Sequence, residues 1–193
     1  MIKIINDFFD KETYDKVIYH IKNKIPFSQR WYNDTKITDR ATKNYYGDRF
    51  SLSYDLDLLN TFKIQIEKKF NTRIKKIWHD SGIDLRNLEE FRSHTDDNIA
   101  KMNCLIMLDG PIGVTTGTCF YTDNELDVHV GFRPNRAVLF PSDHVHAPHA
   151  CKLKNIRRYT ASIFIQEYED PEINLKPVSP AIVSKTPLKE IKF

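Results

Sequence analysis

The sequence predicts a mainly β fold with N-terminal helices. Three observations carry that expectation. Two stretches near the start repeat their apolar residues at helical spacing. After residue 72 the chain becomes a series of short strand-like runs, roughly ten residues apart. Turn signals ("DGPIG", "TDNE", "RPNR", "KLKN") separate those runs.

The first helix is expected over 10–25, "DKETYDKVIYHIKNKI". Asp10 is its candidate N-cap, and Tyr14, Val17, Ile18 and Ile21 share one face. The second, over 55–70, places Leu58, Leu59, Phe62, Ile66 and Phe70 on one side. Between them, residues 28–50 are polar with interspersed aromatics and read as a long loop or as strands too short to define. Strands are expected over 72–78, 100–108, 117–122, 127–132, 136–142 and 157–168. That spacing suits an antiparallel sandwich or barrel, with the two helices covering one face of a sheet. After Asp170 the chain turns rich in Pro and Lys. The expected organisation is a single domain over 1–193: helical and loop support with a candidate lid (1–72), a β core (73–168) and an extended C-terminal tail (169–193).

Composition narrows the function classes. At 193 residues, 40% hydrophobic and 28% charged, the chain is long enough to bury a sizeable core. A net charge of +3 is too small to argue for nucleic acid as the partner, which makes it the less favoured class. No apolar run approaches a membrane span, and the acidic N-terminus does not read as a signal peptide. Cys104, Cys119 and Cys151 are odd in number and form no CxxC pair, which suits a reducing, cytoplasmic setting; core packing is the expectation for Cys104 and Cys119. The oligomeric state is not legible.

The chemistry concentrates in the histidines. Five of the seven lie between residues 94 and 149, and His144, His146 and His149 crowd into "LFPSDHVHAPHACK". Upstream, "FRSHTDDNIAKMN" holds His94 and Asp96 two residues apart. Alternate residues of an extended chain project to one side, so the pair can offer two ligands to one ion. By the same parity Asp97 points away. Two histidines and one carboxylate on one face of an octahedral ion leave three positions open, a donor set suited to Fe(II). A closed zinc site wants four ligands, usually with cysteine, and no cysteine is placed to join His94 and Asp96. Downstream, "NIRRYTASIFI" puts a basic pair at the head of an apolar strand, where an inward-facing arginine can bind a carboxylate bidentately.

In this order "HTD", "LFPSDHVHAPH" and "RYTASIFI" resemble the iron(II)/2-oxoglutarate-dependent dioxygenases, prolyl-hydroxylase-like in their compact size. The likeness covers roughly residues 74 to 168. It implies a double-stranded β-helix (jelly-roll) with helices packed on one sheet. It implies iron ligands His94, Asp96 and a distal histidine: His146, four residues after Ser142, or its competitor His149, nine before Arg158. Arg158, with Thr160 on the same strand face, is the implied anchor for 2-oxoglutarate, and Arg157 is the alternative. Asn103 and Tyr121 are candidate co-substrate contacts. Trp78 and His79 are candidate substrate contacts, although Trp78 also suits a core. His129, alternating with two valines, is expected at the surface. The aromatic segments 30–34 and 44–50 are candidate lid pieces. The implied reaction consumes O₂ and 2-oxoglutarate, supported by ascorbate, and hydroxylates a peptide (prolyl among the options) or a small molecule, releasing succinate and CO₂. A non-catalytic cupin-like module binding a small ligand or sugar is the competing class.

Overall fold

The helices form where cap and apolar repeat agree. In the computed structural model, which describes residues 1–32, 44–87, 93–149 and 157–169, α1 spans Lys11–Lys24 and α2 spans Leu56–Phe70. Asp10 caps α1 by accepting from the Thr13 N–H at 2.9 Å, and those Thr13 hydrogen bonds hold its carboxyl below the usual range. Asp55 caps α2 by accepting from the Leu58 N–H at 3.0 Å. The helix ends at Asn71, whose left-handed backbone (φ 50°) is one that asparagine tolerates. No helix among the described residues is long and apolar enough to cross a membrane.

Eleven strands follow or surround the helices among the described residues: β1 (Lys3–Ile5), β2 (Ser28–Tyr32), β3 (Asn44–Ser51), β4 (Arg73–Ile77), β5 (Gly82–Asn87), β6 (Met102–Asp109), β7 (Gly113–Thr122), β8 (Glu125–Phe132), β9 (Arg136–Pro141), β10 (Val145–Pro148) and β11 (Arg157–Glu169). They make two antiparallel sheets. The larger runs β1-β9-β6-β11-β5-β3-β2, with β4 pairing the far half of β11. The smaller runs β10-β7-β8. The polar stretch 28–50 therefore contains paired strands, β2 against β3. Residues 33–43, the tail from residue 170 onward and Cys151 lie outside the described residues, and so does part of the candidate lid.

Side-chain alternation divides the larger sheet into two faces. One face carries Ile83, Cys104, Ile106, Leu139, Ala161 and Ile163, which pack with Val17 and Ile21 of α1 and Phe62 and Ile66 of α2. That arrangement places both helices on one sheet. Cys104 is fully buried there, and burial pushes its thiol pKa up. The opposite face looks toward the smaller sheet. Met107, Val138 and Phe140 meet Phe120, Val130 and Phe132 in a second apolar cluster. That inner cluster is smaller, and the space beside it holds polar side chains.

Two predictions follow from this packing. Tyr14 donates its hydroxyl to the Leu108 carbonyl at 2.6 Å, and burial, reinforced by Asp109, raises its pKa from 10.0 to about 12. The neutral phenol is favoured in the folded state. Its contribution is complete below pH 10 and is lost as the pH climbs to about 12. Urea denaturation across that window should therefore show the wild type losing more stability than Tyr14→Phe. Gly117 holds φ 135°, and a Cβ there would lie 2.1 Å from the Val130 carbonyl oxygen. Gly117→Ala should cost about 1–3 kcal/mol of unfolding free energy, the scale of one strained backbone position.

Candidate metal centre and its cavity

The inward face of the larger sheet and the segment before β6 converge on one cavity of about 370 Å³. At one end lie His94, Asp96 and His146, whose candidate ligand atoms all fall within 4.8 Å of one another. Backbone pairing sets this meeting. His94 N–H donates to the His146 carbonyl and His146 N–H to the His94 carbonyl, both at 2.9 Å. Asp96 N–H donates to the Ser142 carbonyl at 2.7 Å. The segment leaving β5 is thereby stitched to β10 and to the turn before it. Asp96 oxygens then sit 3.8 Å from His94 Nε2 and 3.4 Å from His146 Nε2.

Neighbouring groups orient the donors. Asn103 is buried on β6, and its Nδ2 donates to Asp96 Oδ2 at 2.9 Å. His146 Nδ1–H donates to the His144 carbonyl at 3.0 Å, which leaves Nε2 to face Asp96. Two imidazoles and a carboxylate, with no sulfur donor among the three, make a set that fits Fe(II). Asp97 is exposed and turns away, accepting from the Thr95 hydroxyl at 2.8 Å.

Across the cavity stands the cation. On β11 the pleat sends Arg158, Thr160, Ser162 and Phe164 inward, while Arg157 is exposed. Arg158 is 4% exposed; its Nη1 donates to the Gly117 carbonyl at 3.1 Å, and its guanidinium lies 5.9 Å from the Phe132 ring centre. Thr160 lines the wall beside it. A buried guanidinium next to a hydroxyl in a cavity of this size is chemically fitted to a small dicarboxylate.

The structure brings His94, Asp96, His146, Asn103, Arg158 and Thr160 to one cavity, and it does not bring Tyr121 or His149 there. Tyr121 falls out of step with the inward-facing Thr118 and Phe120, and its hydroxyl interacts with the Cys119 sulfur on the opposite face. His149 follows Pro148 out of the cavity, and its Nδ1 lies 3.4 Å from Cys119 Sγ. His129 shares that outer face, as its alternation implies, but it is half-buried against the His149 ring, 4.8 Å between centres, and so is not a plain surface residue. Trp78 lines the cavity and meets Phe164 edge-on at 5.5 Å; His79 also meets it edge-on, at 5.2 Å between ring centres.

The sequence reading places Arg49 only within the candidate lid segment 44–50 and does not single it out as a lining residue. Arg49 on β3 reaches the cavity wall, where its Nη1 bonds both carboxylate oxygens of Asp84 at 2.8 and 2.7 Å, and its Nη2 bonds the Asp80 carbonyl. The available signal was Asp84 itself, a carboxylate flanked by Ile83 and Leu85 in a strand-length run.

No protein-family model matches the sequence, and no curated protein does. Solved structures match in fold. The non-heme alpha-ketoglutarate-dependent epimerase SnoN from nogalamycin biosynthesis aligns with TM-score 0.55 at 12% identity, over 88% of this chain and 77% of that one. A prolyl-4-hydroxylase from Pseudomonas putida aligns with TM-score 0.54 at 9% identity, over 86% and 92% of the two chains. An oxidoreductase of the 2OG-Fe(II) oxygenase family from Burkholderia pseudomallei aligns with TM-score 0.56 at 12% identity, over 88% and 84%. With two sheets enclosing a cavity and helices on the larger one, this chain has the fold of the 2OG-Fe(II) oxygenases.

Proposed function

We propose that this chain is an iron(II)- and 2-oxoglutarate-dependent dioxygenase that hydroxylates a peptide or small-molecule substrate. The observation that carries the reading is the pairing, in one cavity, of the His94–Asp96–His146 donor set with the inward Arg158 and Thr160. The shared fold supports it, and among the structures of that fold is a prolyl-4-hydroxylase.

His94, Asp96 and His146 would hold the metal, leaving the rest of its coordination sphere to ligands from outside the chain. Iron(II) so held supplies O₂ activation coupled to decarboxylation of 2-oxoglutarate to succinate and CO₂, which oxidises a substrate C–H bond. The protein's own part is positioning. Arg158 and the Thr160 hydroxyl receive the far carboxylate of the co-substrate, and burial strengthens that attraction over its value in water. Asn103 keeps one Asp96 oxygen engaged and so fixes how the carboxylate presents the other. The His144 carbonyl keeps the Nδ1 proton on His146 and so keeps Nε2 a ligand. Leu105, Met107, Phe132 and Phe140 supply the apolar part of the cavity wall. Trp78 and Asp80 line the same cavity and are candidates to meet the substrate.

Purified protein with Fe(II), ascorbate and O₂ should convert 2-oxoglutarate to succinate, stop on chelation and restart on adding Fe(II). His94→Ala and Asp96→Ala should fall to background, and Arg158→Gln should raise KM for 2-oxoglutarate at least about tenfold, equivalent to about 1.4 kcal/mol. Full turnover in either ligand variant sinks the triad. A cupin-like module would instead gain no thermal stability from 2-oxoglutarate added over metal. Asn103→Ala should weaken metal binding about 10–100-fold, as loss of an outer partner does. Metal titration of the folded variant measures this, and unchanged affinity would remove Asn103 from the site.

A further inference from the structure

On the reverse side of the smaller sheet, three donors meet that the iron triad does not use. Cys119 on β7 lies opposite His129 on β8 in the strand register. His149 follows β10, anchored by its N–H to the Gly117 carbonyl at 3.0 Å. The neighbours Thr118 and Phe120 face inward, and so do Val128 and Val130, which sends Cys119 and His129 outward together.

The candidate ligand atoms of Cys119, His129 and His149 all lie within 4.8 Å of one another. Cys119 Sγ and His149 Nδ1 are 3.4 Å apart. Tetrahedral zinc with ordinary Zn–S and Zn–N bonds separates a sulfur and a nitrogen ligand by about 3.6 Å. His129 Nε2 is buried and finds no hydrogen-bond partner among the described residues. A buried ring nitrogen in that state needs an explanation, and an ion is one. Cys119 is 4% exposed, so the sulfur is shielded from bulk water, and both histidines are half-buried.

We propose that Cys119, His129 and His149 form a second metal site, which takes Zn²⁺ and staples β7, β8 and the end of β10 together. The donor set separates it from the first site. One thiolate and two imidazoles without a carboxylate suit a borderline-soft ion, whereas the cavity triad suits Fe(II). On binding, an Sγ–Zn bond forms and the thiol proton leaves to solvent. Three protein ligands leave one tetrahedral position for water.

The test uses the full chain carrying His94→Ala, so that the cavity triad is broken. After chelation and reloading, this protein should retain one Zn²⁺ per chain. Loaded with Co²⁺, it should show the near-ultraviolet thiolate-to-cobalt band, which the cavity triad, having no sulfur, cannot produce. Adding Cys119→Ser should abolish the band and the retained zinc. His129→Gln and His149→Gln, each checked for folding by circular dichroism, should weaken zinc binding at least tenfold while keeping the thiol, so the test survives if the serine variant misfolds. The proposal is overturned if the folded His94→Ala protein retains no zinc, which leaves a thiol–imidazole hydrogen bond only. It is equally overturned if the cobalt band persists in Cys119→Ser.

Discussion

The register of β11 is the constraint on which the rest of the molecule depends. This strand is hydrogen-bonded along both edges, to β6 on one side and to β5 and then β4 on the other. Arg158, Thr160, Ser162 and Phe164 consequently face the cavity, while Ala161, Ile163 and Ile165 face the helices. The side-chain period of a strand is two, so a slip of one residue would exchange the sets. The cation would enter an apolar core and three aliphatic groups would enter the cavity. Burial of Phe62, Ile66 and Ile21 against the helix-side set opposes that slip. The hydrophobic core thus sets the orientation of the polar site, although the two share no side chain.

The cavity's polar groups are held by local bonds as well as by the sheet. His94 and His146 come from segments 52 residues apart in the chain, yet their main chains exchange two hydrogen bonds. Their rings lie 4.4 Å apart between centres as a result. Asp96 is then fixed from both ends, its N–H by Ser142 and its carboxylate by Asn103. The two cations of the cavity have different surroundings. Arg49 is neutralised by both oxygens of Asp84, and Arg158 hydrogen-bonds a main-chain carbonyl.

Long apolar patterns were legible and short mixed ones were not. Both helices lie within a residue or so of their expected limits, because cap and periodicity coincide at Asp10 and Asp55. β6 and β11 announce themselves as apolar or β-branched runs. β5 does not, because Asp84 and Arg86 interrupt it, and β10 is four residues with a histidine and a proline. That short strand puts His146 in the cavity and His149 outside it, and spacing cannot set parity until the strand's limits are known. Tyr121 shares the outer face of Cys119 by plain alternation, but which face of β7 looks inward was not legible before its partners were known. Asn103 was legible as a polar residue in an apolar strand, but its link to Asp96 appears only in three dimensions. His129 read as surface because one strand's alternation says nothing of what the next strand carries opposite it.

The carbonyl of Gly117 accepts from two directions, from the Arg158 guanidinium and from the His149 main chain. One oxygen therefore belongs to the environments on both sides of a partition a single strand thick. Sequence drift on the outer side is felt by the inner cation, and the reverse holds. A shift of the main chain at Gly117 would therefore move the acceptor of Arg158 and the anchor of His149 together.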